Sequence, residues 1–181
     1  VRGQKWTKDW IWHPDGLSGQ WDNRSRESLE NINASREAAI SPLLKLSEQF
    51  HGAKTVRDQV LDDLYITPPG TNRSSKYYLG FYQNNELIAV MDLIDGFPAP
   101  DICYIGFFMM NKAYQGCGKG TEIIREICEF LKQKGMQKVR LGIDKENPQS
   151  NHFWKKNGFH SIYEVEQDAG TIVVAERMLE M

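Results

Sequence analysis

Apolar positions along the chain follow two periods, and the change from one to the other outlines the elements. KYYLGFYQ and LIAVMDLIDG, separated by NNE, predict two strands around a tight turn, an antiparallel hairpin. Phe97 to Asp101, with two prolines, reads as a loop. ICYIGFFMM is short, almost wholly apolar and rich in β-branched and aromatic residues, which predicts a buried strand. The period then becomes helical: Ile123, Ile124, Ile127, Phe130 and Leu131 mark one face, and Gly135 suits the cap at its end. KVRLGID predicts another strand. Asn147 and Pro148 open a short helix through Phe153 and Trp154 that stops near Gly158. FHSIYEVE and TIVVAERML, joined at QDAG, predict two closing strands.

The N-terminal pattern is weaker. A short strand is predicted through Ser28 to Ile32. Asn33 or Ser35 then caps a helix carrying Ala38, Ala39, Leu43, Leu44 and Leu46 to about Phe50, with a kink or break at Pro42. A second helix is predicted from Thr55 to Leu64, before the loop ITPPGTN. Residues 1 to 28 show no sustained period and hold Trp6, Trp10, Trp12 and Trp21 among polar neighbours. They read as an extension pinned by its rings, with a lid or self-association surface as the functional alternative. The predicted organisation is an extension over 1–28 and one domain over 29–181. Its order is mixed α and β, with hairpins flanking a strand–helix–strand crossover.

Composition narrows the classes. A length of 181 residues fits one domain with a real core, and 40% apolar with 25% charged residues is ordinary for a globular chain. A formal net charge of −2 argues against a general polyanion binder, so no nucleic-acid partner is expected, although Arg2, Lys5 and Lys8 make the start locally basic. The longest apolar run, Ile102 to Met110, is too short to span a bilayer, and no signal segment opens the chain. Cys103, Cys117 and Cys128 are odd in number and lack metal-type spacing. They read as reduced thiols in a cytoplasmic protein without a metal site.

Candidate chemistry concentrates in YQGCGKGT, residues 114–121, just before the helical pattern. Glycines admit positive φ and close backbone approach, and the first amides of a helix have no intrahelical partner. Together these make an anion site. A Walker-type loop fails, because Lys119 is followed by Gly120 and no glycine precedes Gly118 at the required spacing. A dinucleotide fingerprint matches only partly. Gly116, Gly118 and Gly120 have the wrong third spacing, and Asp144 lies too far on, so a nucleotide-dependent oxidoreductase is poorly supported.

Gln115-Gly116-Cys117-Gly118-Lys119-Gly120 satisfies Q/R-x-x-G-x-G/A and resembles the acetyl-coenzyme A signature of the GNAT superfamily of N-acetyltransferases. NKAYQG is similar to that family's lead-in. Asn147 to Phe159 resembles its second motif, N-x-x-A-x-x-x-[YFW]-x-x-x-G-F, with Ser150 in the small-residue place. The resemblance runs from about Leu29 to Leu179. It implies an α/β fold of the α+β kind: a mixed central sheet of six to seven strands with about four helices, splayed between the fourth and fifth strands.

The same resemblance implies acetyl-CoA as cosubstrate. Its pyrophosphate would rest on amides across Gln115, Gly116, Cys117, Gly118, Lys119, Gly120 and Thr121, with the Lys119 side chain either near a phosphate or solvated. Its pantetheine arm would pair with backbone groups of Phe108, Met109 and Met110, as in β-augmentation. Asn147 would hydrogen-bond the pantetheine or simply cap its helix. Trp154 would wall the thioester or belong to the core, as Phe159 would. The acceptor implied is a primary amine of a small molecule or peptide.

Many family members place a tyrosine donor where Trp154 stands and a glutamate where Gly106 stands, so this chain lacks both side chains. Tyr104 shares strand parity with Gly106, Phe108 and Met110, and Asp92 lies in the neighbouring strand. These are the candidates for moving protons, each with a structural alternative; His51, His152 and His160 are weaker. Proton transfer through water is a further alternative, because orientation alone supplies about 7–11 kcal/mol. A non-catalytic acyl-CoA sensor on the same scaffold is the competing class. The tryptophan-rich extension makes a homodimer the association to test.

Overall fold

The computed structural model describes residues 7–12, 45, 46, 49, 66–84 and 86–180. Seven strands, β1 (Thr7–Trp12), β2 (Lys76–Gln83), β3 (Glu86–Asp95), β4 (Ile102–Met110), β5 (Lys138–Asp144), β6 (His160–Gln167) and β7 (Gly170–Met178), hydrogen-bond in the order β1-β2-β3-β4-β5-β7-β6. β4 and β5 run parallel, whereas β1/β2, β5/β7 and β6/β7 are antiparallel, which makes the sheet mixed. Two α-helices, α1 (Lys119–Gln133) and α2 (Pro148–Lys156), are described from end to end. The expected strand at 28–32, the helices expected near 35–50 and 55–64 and the Pro42 kink lie outside the described residues, save that Lys45, Leu46 and Gln49 are helical.

The chain forms two compact units: Val1–Leu93 with Phe107–Gln115, and Ile94–Gly106 with Gly116–Met181. In the first, the predicted hairpin is β2 and β3, with Asn84 in the turn at φ +51°. β3 is buried from Leu87 to Ile94, which explains a nearly continuous apolar run where an alternating one would mark a half-exposed strand. β1 is an element that the sequence reading did not foresee. It arises within the tryptophan-rich extension and pairs Thr7 with Tyr82 and Trp10 with Leu79 on β2.

In the second unit the parallel register is Ile102↔Lys138 to Ile105↔Leu141, after which β5 continues along β7 as far as Asp144↔Ile172. Val139, Leu141 and Ile143 are buried, so Lys138, Arg140, Gly142 and Asp144 occupy the other face of β5. α1 buries Ile123, Ile124, Ile127, Cys128 and Leu131, the spacing of one helical face. Each such side chain contributes about 1.5–3 kcal/mol relative to exposure. α2 starts at Asn147, whose side chain accepts from the Ser150 amide at 2.9 Å, and packs against β5. β6 ends the sheet with every residue exposed; Glu164 and Glu166 on that strand discourage further pairing.

Candidate active site

The glycine segment has the backbone its sequence required. Gly116 and Gly118 take φ of +72° and +86°, in the left-handed region where a Cβ is strained. Gly118 is the N-cap of α1 and, lacking a side chain, supplies no side-chain cap to that end of the helix. Among the described residues, a Cβ placed on either glycine would meet no atom within 4 Å, so they leave space open above both. The cradle thus combines a glycine-capped helix start with room for a ligand, and a diphosphate fits that chemistry. Cys117 is exposed. The Lys119 ammonium lies 3.1 Å from Glu122 Oε2, an i,i+3 pair along the helix.

The predicted cofactor residues divide between the units. Phe108, Met109, Met110 and Gln115 belong to the first, and Gly116 to Thr121, Asn147 and Trp154 to the second. In the first unit Met109 and Met110 are buried, Phe108 is half-buried, and Gln115 Nε2 donates to the Met110 carbonyl at 3.0 Å. That bond ties the end of β4 to the residue before the cradle. In the second, Asn147 is the exposed cap of α2, and Trp154 is buried edge-to-face against Phe153 and Phe159, each at 5.1 Å between centroids.

Residues 43–159, well over half of the chain, match the family model described as "Acetyltransferase (GNAT) family". The chain belongs to that family. Its members transfer acetyl groups from acetyl-CoA, so the protein is an acyltransferase. No curated protein matches it in sequence. Solved structures share the GNAT fold at low identity. The ribosomal-protein-S18-alanine N-acetyltransferase of Escherichia coli is 11% identical, with a TM-score of 0.60 over 80% of this chain and 90% of that one. A spermidine N-acetyltransferase SpeG chimera from Vibrio cholerae and hSSAT is 13% identical, with a TM-score of 0.62 over 78% and 90%. AAC(6')-Ib in complex with acetyl-CoA is 16% identical, with a TM-score of 0.60 over 78% and 89%.

Gly106 and Trp154, which the sequence resemblance aligns with the acid–base positions of many family members, are exposed and buried respectively. Tyr104, half-buried, packs edge-to-face on Phe97 at 5.5 Å. Its hydroxyl lies close over Gly142: a Cβ there would be 3.2 Å from Tyr104 Oη and 2.9 Å from Ile172 Cγ2. Burial pushes the Tyr104 phenol above its ordinary value; Tyr163 adds to the rise and Arg140 opposes it. The group therefore stays protonated, a donor rather than a base.

Asp92 belongs to the first unit, where its Oδ2 accepts from Lys76 Nζ at 2.7 Å, and Lys76 also donates to the Ile66 carbonyl at 2.6 Å. Both charged groups are buried, so this carboxylate holds an ammonium within the fold.

Gly142 was missed in the sequence reading, although a glycine inside a strand pattern signals close approach by another group. A cavity of about 650 Å³ in the second unit, lined by Arg125, Cys128, Lys132, His160 and Arg177 among others, includes the weaker candidate His160 but none of the predicted cofactor residues. Cys128 on its wall is buried, which pushes the thiol up against the opposing effect of Arg177. Among the described residues no group of three or more His, Cys, Asp or Glu is disposed to hold a metal ion, and no helix is long and apolar enough to cross a membrane.

Proposed function

We propose that this GNAT protein transfers the acetyl group of acetyl-CoA to a primary amine of a small molecule or peptide, by direct attack on the thioester. The observation that carries this reading is the start of α1: a helix N-terminus with glycine as its cap, entered through Gly116 and Gly118 at positive φ, with space above it open among the described residues. Backbone amides from Gln115 to Thr121 hold the pyrophosphate, which needs no arginine ring. Backbone groups of Phe108, Met109 and Met110 take the pantetheine arm, and the amides at Met109 and Met110 are the donors offered to the thioester oxygen. Asn147, besides capping α2, reaches the arm, and Trp154 backs the acyl end.

Acetyl-CoA supplies the activated acyl group. The amine nitrogen forms the new C–N bond, the C–S bond breaks, one proton leaves the nitrogen and one returns to the thiolate. Tyr104, protonated and partly desolvated, is the side chain we assign to proton return. The nitrogen's proton leaves to water, because the near oxygen of Asp92 is engaged by Lys76 and that carboxylate serves the fold. Acceptors named for structures of this fold range from an alanine of a ribosomal protein to spermidine, which supports keeping both small-molecule and peptide amines within the proposal.

The test incubates the chain with acetyl-CoA and a panel of small and peptide amines while free thiol is followed. Amine-dependent thiol release above hydrolysis supports the transferase. Tight acetyl-CoA binding with no release across the panel favours an acyl-CoA sensor instead.

A further inference from the structure

We propose that Glu86 is a positioning residue for coenzyme A binding: its two carboxylate oxygens hold the turn from which the glycine cradle departs. The proposal rests on reading that cradle as the pyrophosphate site.

Glu86 opens β3 and is exposed, so its side chain buries no core. Its Oε2 accepts from the Tyr114 hydroxyl at 2.7 Å, and its Oε1 accepts from Asn111 Nδ2 at 3.2 Å. These donors stand at the two ends of the 3₁₀ turn Lys112–Tyr114, which Asn111 caps by accepting from the Ala113 amide at 3.0 Å. The Asn111 amide in turn donates to the Ile88 carbonyl at 2.8 Å, also on β3. From the other side, the Lys112 amide donates to Gln49 Oε1 at 3.1 Å, and Lys112 Nζ donates to the Gln49 carbonyl. Gln115 closes the turn through its amide, 3.3 Å from the Lys112 carbonyl, and its side chain reaches Met110. Gly116, at positive φ, follows at once.

A single 3₁₀ turn has too few internal bonds to hold one conformation. Here Asn111, Lys112, Tyr114 and Gln115 each carry a specific tether, and one carboxylate supplies two of them. A carboxylate suits the task because it is acceptor-only with two oxygens, and a hydroxyl bonded to it is a charge-assisted contact. Fixing the turn in advance removes ordering that coenzyme A would otherwise have to impose on the cradle. The effect therefore belongs to cofactor affinity, with little expected in turnover at saturation.

The test is calorimetry with coenzyme A on the full chain and its Glu86→Ala, Glu86→Gln and Tyr114→Phe variants, beside steady-state kinetics. Glu86→Ala weakens coenzyme A and raises the acetyl-CoA KM by about tenfold, with kcat and the acceptor KM unchanged. Glu86→Gln recovers most of the loss, since an amide oxygen still accepts from Tyr114; Tyr114→Phe falls between. Wild-type affinity in Glu86→Ala, or a loss confined to kcat, overturns the proposal while leaving the cradle intact. A wild-type chain that binds no coenzyme A removes the cradle reading and this one with it.

Discussion

Tyr104 and Gly142 are a matched pair: the phenol hydroxyl lies over a strand residue without a side chain, 3.2 Å from where a Cβ would stand. Tyr104 pairs in register with Arg140, two residues before Gly142 on the same face, so the ring leans along β5 towards it. The glycine is thus part of what positions the proposed donor. Gly142→Ala pushes on both Tyr104 and Ile172 and lowers kcat by up to about 10²-fold through misplacement of the hydroxyl. Adding Ile172→Ala relieves the closer contact alone. If the double variant keeps the loss, Tyr104 is the displaced group; full recovery assigns the effect to Ile172. Turnover of both variants and of the wild type decides.

Removing the hydroxyl is the complementary test. Tyr104→Phe keeps the ring against Phe97 and lowers kcat by about 10²-fold, the low end for loss of a general acid, with coenzyme A affinity unchanged. The sign of the pH dependence follows from the raised phenol. Its protonated form persists at and above the ordinary tyrosine value, so donor activity is present through neutral pH and is lost only as pH rises through the elevated folded value. The wild-type kcat profile therefore has an alkaline fall that Tyr104→Phe lacks. Equal rates in the two proteins would leave proton return to water.

Gly118 tests the cradle by sterics and charge. Its φ of +86° makes any side chain cost about 1–2 kcal/mol in backbone strain, but among the described residues no neighbouring atom obstructs a Cβ, so the fold is expected to tolerate substitution. Gly118→Glu abolishes coenzyme A binding by placing bulk and negative charge at the helix start. Calorimetry on a variant shown to be folded, with unchanged affinity, would contradict the site.

The buried Lys76–Asp92 pair separates a structural from a chemical carboxylate. Asp92→Asn leaves a buried ammonium without its anion and costs about 3–5 kcal/mol of stability, read by denaturant unfolding. Restoring stability by pairing it with Lys76→Met should restore turnover as well. Stability recovered without turnover would give Asp92 a direct part in the reaction.

How far these features could be read in advance depended on the range of the interaction behind each. The β2–β3 hairpin, β4, α1, β5, α2 and the last hairpin are legible because each carries its own period and punctuation; Asn147-Pro148 and Gly158 even bracket α2. The cradle is legible because positive φ demands glycine locally. β1 is not, since TKDWIW has no clean alternation and becomes a strand only by pairing with β2, far along the chain. The Glu86–Tyr114 and Lys76–Asp92 contacts are equally hidden, because nothing near either residue announces a partner on another element. Trp154 illustrates an ambiguity of another kind: an aromatic near a helix end has the same sequence signature whether it packs on Phe153 and Phe159 or faces a ligand.

The amides themselves offer the most direct measurement. In a ¹⁵N–¹H titration of the labelled chain, coenzyme A should shift the Gly116, Gly118, Lys119 and Gly120 signals, whereas pantetheine, which lacks the pyrophosphate, should leave them in place while moving those of Phe108 to Met110. Saturable coenzyme A binding with the Gly116–Gly120 signals unmoved would contradict the account.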